Sequence, residues 1–161
     1  MSPGARQRRA DLLIGWGNGL RQDDGVGLAI AERVEGWSRP GLTVLAITQL
    51  TPELAAMVAE AKRVLFVDAA LAPACPDPGW RLEPLDAPAD GVKAAGAERL
   101  SHHASPGALL QLAGSLYGRT PPAWQLLLRA HSCEMGTGLS AATAALLPEA
   151  LAAVGRWCGD A

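Results

Sequence analysis

The sequence predicts an α/β fold: three layers, with a twisted, mostly parallel sheet of about five strands flanked by helices. Three observations predict it. Short apolar runs alternate with stretches of helical periodicity along the chain, the pattern of repeated strand–helix crossovers. Three of those runs are almost continuously apolar, as strands covered on both faces must be. Two of the helical stretches open on a hydroxyl residue followed by proline, Thr51–Pro52 and Ser105–Pro106. That pair puts a capping side chain at the N-cap and a pre-set φ at the first helical position.

The elements follow in order. Residues 1–10 read as a flexible tail, and "LLIGW" (12–16) as the first strand. After the glycine-rich turn, residues 25–35 place Val26, Ile30, Ala31 and Val34 on one helical face. "LTVLAI" (42–47) is the second strand, "TPELAAMVAEAK" a helix opened by Thr51 and Pro52, and "RVLFVDA" (63–69) the third strand. "WRLEPL" (80–85) is the doubtful strand, because Pro84 suits an edge or a strand end better than a sheet centre. In "SPGALLQLAGSLYG", Leu109, Leu112, Ala113 and Leu116 recur at helical spacing. "WQLLLRA" (124–130) is the fifth strand, and "LSAATAALLPEALAAVGRW" is helical, with Pro148 kinking or dividing it. Residues 71–79 and 86–104, rich in Ala, Pro, Gly and Asp, read as loops. No domain boundary or internal repeat interrupts the chain, so 1–161 is expected to form one domain.

Composition narrows the functional classes. Hydrophobic residues make up 49% and charged residues 19%, which excludes a disordered chain or a coiled coil. With 14 basic and 16 acidic residues the net charge is −2, and no basic face for nucleic acid is implied. Cys75, Cys133 and Cys158 are widely spaced and odd in number, which argues against a zinc knuckle or a disulfide framework and for reduced thiols in the cytoplasm. The apolar run Leu12–Ile14 is too short for an export signal, and no stretch is long enough to span a membrane.

The chemistry-bearing residues fall where ligands bind in open α/β sheets, beyond the carboxyl ends of the strands. "GWGNGLRQDDGVGL" (15–28) carries Asp23 and Asp24 behind a glycine turn; Asp68 ends the third strand; His102 and His103 precede the Ser105–Pro106 helix. If strands one and three are neighbours, Asp24 and Asp68 stand on adjacent strand ends, and a histidine from the later loop completes a set suited to a divalent transition metal. One aspartate then faces a cation while the other caps the helix starting at Gly25. Bland readings stand beside each of these. Adjacent aspartates at a helix start are ordinarily caps, a strand-end aspartate ordinarily bonds loop amides, and a loop histidine is ordinarily solvated. What lifts the combination is its convergence on one sheet edge.

Two other motifs are weaker. "GWGNG" begins like a phosphate loop, but Gln22, Asp23 and Asp24 stand where phosphate wants amides or a cation, and no Walker lysine follows. "HSCEMGTGLS" (131–140) sets Cys133 near His131, with no sequence-adjacent Asn or Asp to orient the histidine as a nucleophile's base.

Four segments together, "LLIGWGNGLRQDDGVGLAIAERV", "VLFVDAA", "SHHASPGALLQLAGSLYG" and "HSCEMGTGLSAATAALLPEALAAV", resemble the hydrogenase maturation proteases. These endopeptidases trim the large subunit of nickel-iron hydrogenases, and the resemblance runs from Leu12 to Val154 in the family's order. It implies a mainly parallel sheet flanked by helices, cytoplasmic action, and removal of a C-terminal extension from the large-subunit precursor once nickel is inserted. It also implies three nickel-contacting residues: Asp24 as the second acid of the pair, Asp68 at the strand end, and His102, which the register of Ser105–Pro106 selects over His103. Asp24 is one methylene shorter than the glutamate it replaces, and Ala104 stands where a larger apolar residue is usual. Nickel then arrives with the substrate, held by the precursor's cysteines, so that an unloaded precursor is not cut. Gly15, Gly17 and Asn18 shape a turn of close approach; Asp23 is left as base, orienter or cap. No organic cofactor is implied, and a monomer is the plainer expectation. The rival expectations are a metallopeptidase with its own metal, a module that binds the precursor without cutting it, and a nucleotide-binding domain.

Overall fold

The computed structural model describes residues 8–86 and 104–159. Five strands, β1 (Asp11–Trp16), β2 (Leu42–Ile47), β3 (Val64–Ala70), β4 (Trp80–Leu85) and β5 (Ala123–Arg129), form one sheet in the order β2-β1-β3-β5-β4. The pairs β1–β2, β1–β3 and β3–β5 are parallel, while β4 runs antiparallel along β5 at the edge. Pro84 explains that placement, because a proline costs a ladder donor and is tolerated at an edge.

The helices are α1 (Val26–Glu35), α2 (Ala55–Glu60), α3 (Pro106–Tyr117), α4 (Ala141–Ala144) and α5 (Leu147–Trp157). Pro148 divides the long C-terminal helical stretch, sitting in the first turn of α5. Ser105 caps α3 by accepting the Ala108 N–H at 3.1 Å, and Gly118 ends it at φ 72°. The Thr51–Pro52 start behaves differently. Residues Pro52–Leu54 form a 3-10 turn with no side-chain cap bond, and the α-helix begins only at Ala55. Of the loop that the sequence predicts over residues 86–104, residues 87–103 lie outside the described residues.

Alternation along β1 and β3 divides the core between the two sheet faces. Leu12, Ile14, Val64 and Phe66 pack toward α2 and α3 with Val58, Leu109 and Leu110. Leu13, Leu65 and Val67 pack toward α1 and α5 with Ile30, Val34, Ala150 and Val154. At the amino edge the Arg63 guanidinium bonds Asp11 and lies 4.1 Å from the Trp157 ring centroid, tying the last turn of α5 to the sheet.

Helix α1 sits against β1 and β3 at a distance only glycine permits. A Cβ on Gly27 would stand 2.5 Å from the carbonyl oxygens of both Trp16 and Val67, and one on Gly15 would stand 2.1 Å from the Gly27 oxygen. These are backbone atoms, which cannot step aside as a side chain can. We therefore predict that Gly27→Ala destabilises the protein by about 3 kcal/mol or more, read from the urea midpoint; a loss below about 1 kcal/mol would mean that α1 can lift off the sheet cheaply. The glycines thus serve the chain's own close packing.

Candidate functional site at the carboxyl edge of the sheet

The candidate site stands where β1, β3 and β5 end. Beyond Trp16 the chain turns at Gly17, whose φ of 146° favours glycine and whose added Cβ would lie 1.9 Å from the Asp24 carbonyl oxygen. The Asn18 side chain accepts the Leu20 N–H at 2.9 Å, and the Asn18 N–H donates to Asp24 Oδ2 at 2.9 Å. The Asp24 carboxylate therefore closes the loop it belongs to, leaving Oδ1 for other partners.

Asp68 stands near the end of the neighbouring strand β3. It is half-buried, and its Oδ1 accepts the Ala69 N–H at 2.7 Å. Burial pushes its carboxyl up to about 7; the Asp24 charge adds to the rise and the Ala69 amide opposes it. Asp24, in the 3-10 turn Gln22–Gly25 beyond β1, and Asp68 on the neighbouring strand β3 are near enough for the Asp24 charge to be felt at Asp68. A cation between them would remove both the repulsion and the desolvation cost.

His102 and His103 lie outside the described residues. The first described residue after them, Ala104, donates its N–H to the Leu50 oxygen at 3.3 Å and packs against the cluster containing Phe66. Phe66 and Asp68, two apart on β3, share a sheet face, so the chain enters α3 on the face of Asp68. Among the described residues, no group of three or more His, Cys, Asp or Glu is placed to hold a metal ion. Two cavities of about 340 and 380 Å³, one lined by Arg9, Asp11 and Met57 and the other by Leu85, Pro121 and Trp124, open at the opposite, amino edge.

Asp23, left open by the sequence, has an internal task. No side-chain bond caps the turn or helix that follows it. Its carboxylate is fully buried and accepts the N–H groups of His131 (2.8 Å), Ser132 (2.9 Å) and Ser140 (2.7 Å) and the hydroxyls of Ser140 (2.7 Å) and Thr143 (2.9 Å). Burial alone would raise its pKa, but the Ser140, His131 and Ser132 bonds outweigh it and hold the carboxyl at about 2. The backbone reinforces the clamp: Asp23 N–H donates to Ser132 O at 2.9 Å and Gln22 N–H to Gly136 O at 3.0 Å. "HSCEMGTGLS" is thereby folded onto the "QDD" turn. The signal available in sequence was Ser140-x-x-Thr143, a capping pair whose Ser140 Oγ also accepts the Thr143 N–H.

The same clamp decides the fate of Cys133 and His131. The His131 ring meets the Thr143 hydroxyl at 2.7 Å, so a carboxylate stands behind it after all, relayed from Asp23. Cys133 is an exposed residue, and partial loss of water around its sulfur together with the charges of Asp24 and Asp23 pushes the thiol pKa up, with the Asp24 amide opposing. It stays a thiol at neutral pH, a poor nucleophile.

No protein-family model and no curated protein matches the chain. Solved structures do. The hydrogenase maturating endopeptidase HybD from E. coli superposes with a TM-score of 0.69 at 19% identity, over 93% of this chain and 94% of that one. The [NiFe] hydrogenase maturation protease HybD from Thermococcus kodakarensis gives 0.64 at 19%, over 92% and 98%. An endopeptidase from Escherichia coli gives 0.67 at 22%, over 93% and 94%. At these identities the likeness shows the fold, and the expected α/β architecture is borne out over nearly the whole of both chains.

Proposed function

We propose that this chain is a hydrogenase maturation protease, an endopeptidase that removes the C-terminal extension of a nickel-iron hydrogenase large-subunit precursor after nickel insertion. The observation that carries the reading is the pair Asp24–Asp68, one in the turn beyond β1 and one on the neighbouring strand β3, close enough that the charge of Asp24 raises the pKa of Asp68. Solved maturation endopeptidases with the same fold support it.

In this reading nickel is part of the substrate, held by the precursor's cysteines. Asp24 and Asp68 meet it with carboxylate oxygens, and His102 supplies an imidazole from two residues before Ala104. The metal is the recognition element and the Lewis acid that polarises the scissile carbonyl or a water. Asp68, held near neutrality by burial and by Asp24, gives up its proton as the cation arrives, and an unloaded precursor offers nothing to drive that exchange. The enzyme acts in the cytoplasm as a monomer, with no organic cofactor. Cys133, a thiol at neutral pH, takes no part as nucleophile.

The test is the intact mass of the same genome's large-subunit precursor after incubation with the protein, with and without nickel. Loss of a C-terminal peptide from the loaded form alone is expected. Cleavage of both forms would keep the protease and discard the metal requirement; cleavage of neither would leave a module that binds without cutting. Asp24→Ala and His102→Ala are expected to abolish processing, and Asp24→Ala to leave the fold intact, since Asp24 stands in the turn beyond β1 and not in the core. His103→Ala should be mild; the reverse pattern would move the ligand to His103.

A further inference from the structure

Three large apolar side chains stand in solvent at the carboxyl edge: Leu20 is 61% exposed, Leu71 72% and Met135 70%. They come from the connections after β1, β3 and β5, which are neighbours in the sheet. Backbone bonds hold the first and last together, with Gly136 N–H donating to Leu20 O at 2.9 Å beside the Arg21–Gly136 bridge. Leu71 follows Asp68 by three residues, and its carbonyl accepts the Ala74 N–H at 3.0 Å. A single exposed leucine needs no explanation, but three held on ordered backbone at the same sheet edge, two of them in the connections that carry Asp24 or follow Asp68, mark a contact surface.

The carboxylates select what covers it. A second copy of this chain would bring the same acids against Asp24 and Asp68. A lipid surface or a nucleic acid would bring apolar tails or phosphates to them, and both are penalised there. We propose that Leu20, Leu71 and Met135 form the docking collar for the hydrogenase large-subunit precursor. The partner surface it fits is apolar and surrounds a cationic metal centre, so that collar contacts seal the cation against Asp24 and Asp68. This rests on the maturation-protease reading for the identity of the partner.

The test compares wild type with Leu71→Ser/Met135→Ser. Leu116→Ser/Tyr117→Ser serves as a matched control, because those residues are also exposed but lie at the far end of α3, at the amino edge. Thermal midpoints check folding, and Leu20→Ser repeats the measurement through the third collar residue. KM for the nickel-loaded precursor is expected to rise about tenfold or more in the double variant, with kcat falling far less, and to stay unchanged in the control. An unchanged KM in the double variant overturns the collar. If wild type cleaves no precursor, the protease reading falls and the collar is judged by sedimentation of the mixture. A complex formed by wild type and lost in the double variant keeps it; no complex, or equal complexes, overturns it. Self-association of wild type that the double variant abolishes also overturns it, assigning the surface to a second copy.

Discussion

Asp68→Asn is expected to abolish precursor cleavage and, at the same time, to raise the thermal midpoint of the free protein. The first effect follows from removing one of the two anionic ligands proposed for the substrate's metal. The second follows from the cost of keeping that anion half-buried beside Asp24. Its folded pKa of about 7 lies above the ordinary value of 3.8, so the folded state binds the proton more tightly than the unfolded chain does. Asp68 therefore costs nothing below about pH 4 and becomes progressively destabilising as the pH rises through 7, by about 2–4 kcal/mol once partial exposure is allowed for. Asparagine removes the charge and keeps an oxygen for the Ala69 N–H. The gain, roughly 5 °C or more at pH 8, should shrink toward zero near pH 4. Melting curves of both proteins across that range decide it: a lower midpoint for the variant at pH 8 would mean that Asp68 is held by favourable contacts and not by a deferred one.

Asp23→Ala, by contrast, is expected to cost both stability and activity. It removes the acceptor shared by three N–H groups and two hydroxyls, of which the Thr143 hydroxyl belongs to a fully buried residue. Breaking such a network costs about 3–5 kcal/mol, a fall in midpoint of roughly 10 °C or more. The sign with pH is opposite to that of Asp68. A folded pKa of about 2 lies below the ordinary value of 3.8, so the contribution, about 2 kcal/mol from the shift alone, is complete above about pH 5 and is lost as pH falls toward 1. Wild type and variant should therefore converge in strong acid. A variant that melts within about 2 °C of wild type at pH 7 would show the loop 131–143 to be held by something other than Asp23.

What the sequence made legible was whatever is written locally. The near-continuous apolar runs announced the buried parallel strands, Pro84 announced the edge, and Ser105–Pro106 marked the start of α3. The Thr51–Pro52 start misled slightly, because the same two residues also open a 3-10 turn when the threonine side chain makes no cap bond. Asp24 and Asp68 are legible as candidates because each comes with an apolar strand, and the sheet order sets β1 and β3 side by side. The task of Asp23 is hard to read for a physical reason: its partners lie 108 to 120 residues away in the chain, Ser140-x-x-Thr143 reads there only as the cap of its own helix, and an acid beside another acid looks locally like a cap. Its neighbour Asp24 spends one oxygen on Asn18, a bond that no spacing rule foretells.

One carboxylate holding three distant amides has a consequence for how the edge of the sheet breathes. The amides of His131, Ser132 and Ser140 all donate to Asp23, so none can exchange its hydrogen with solvent by a private fluctuation. Their exchange is expected to be governed by one common opening, with a shared free energy well below that of the β3 and β5 amides. The two loops that border Asp24 then leave their closed arrangement together, as a single unit, while the sheet beneath them stays intact.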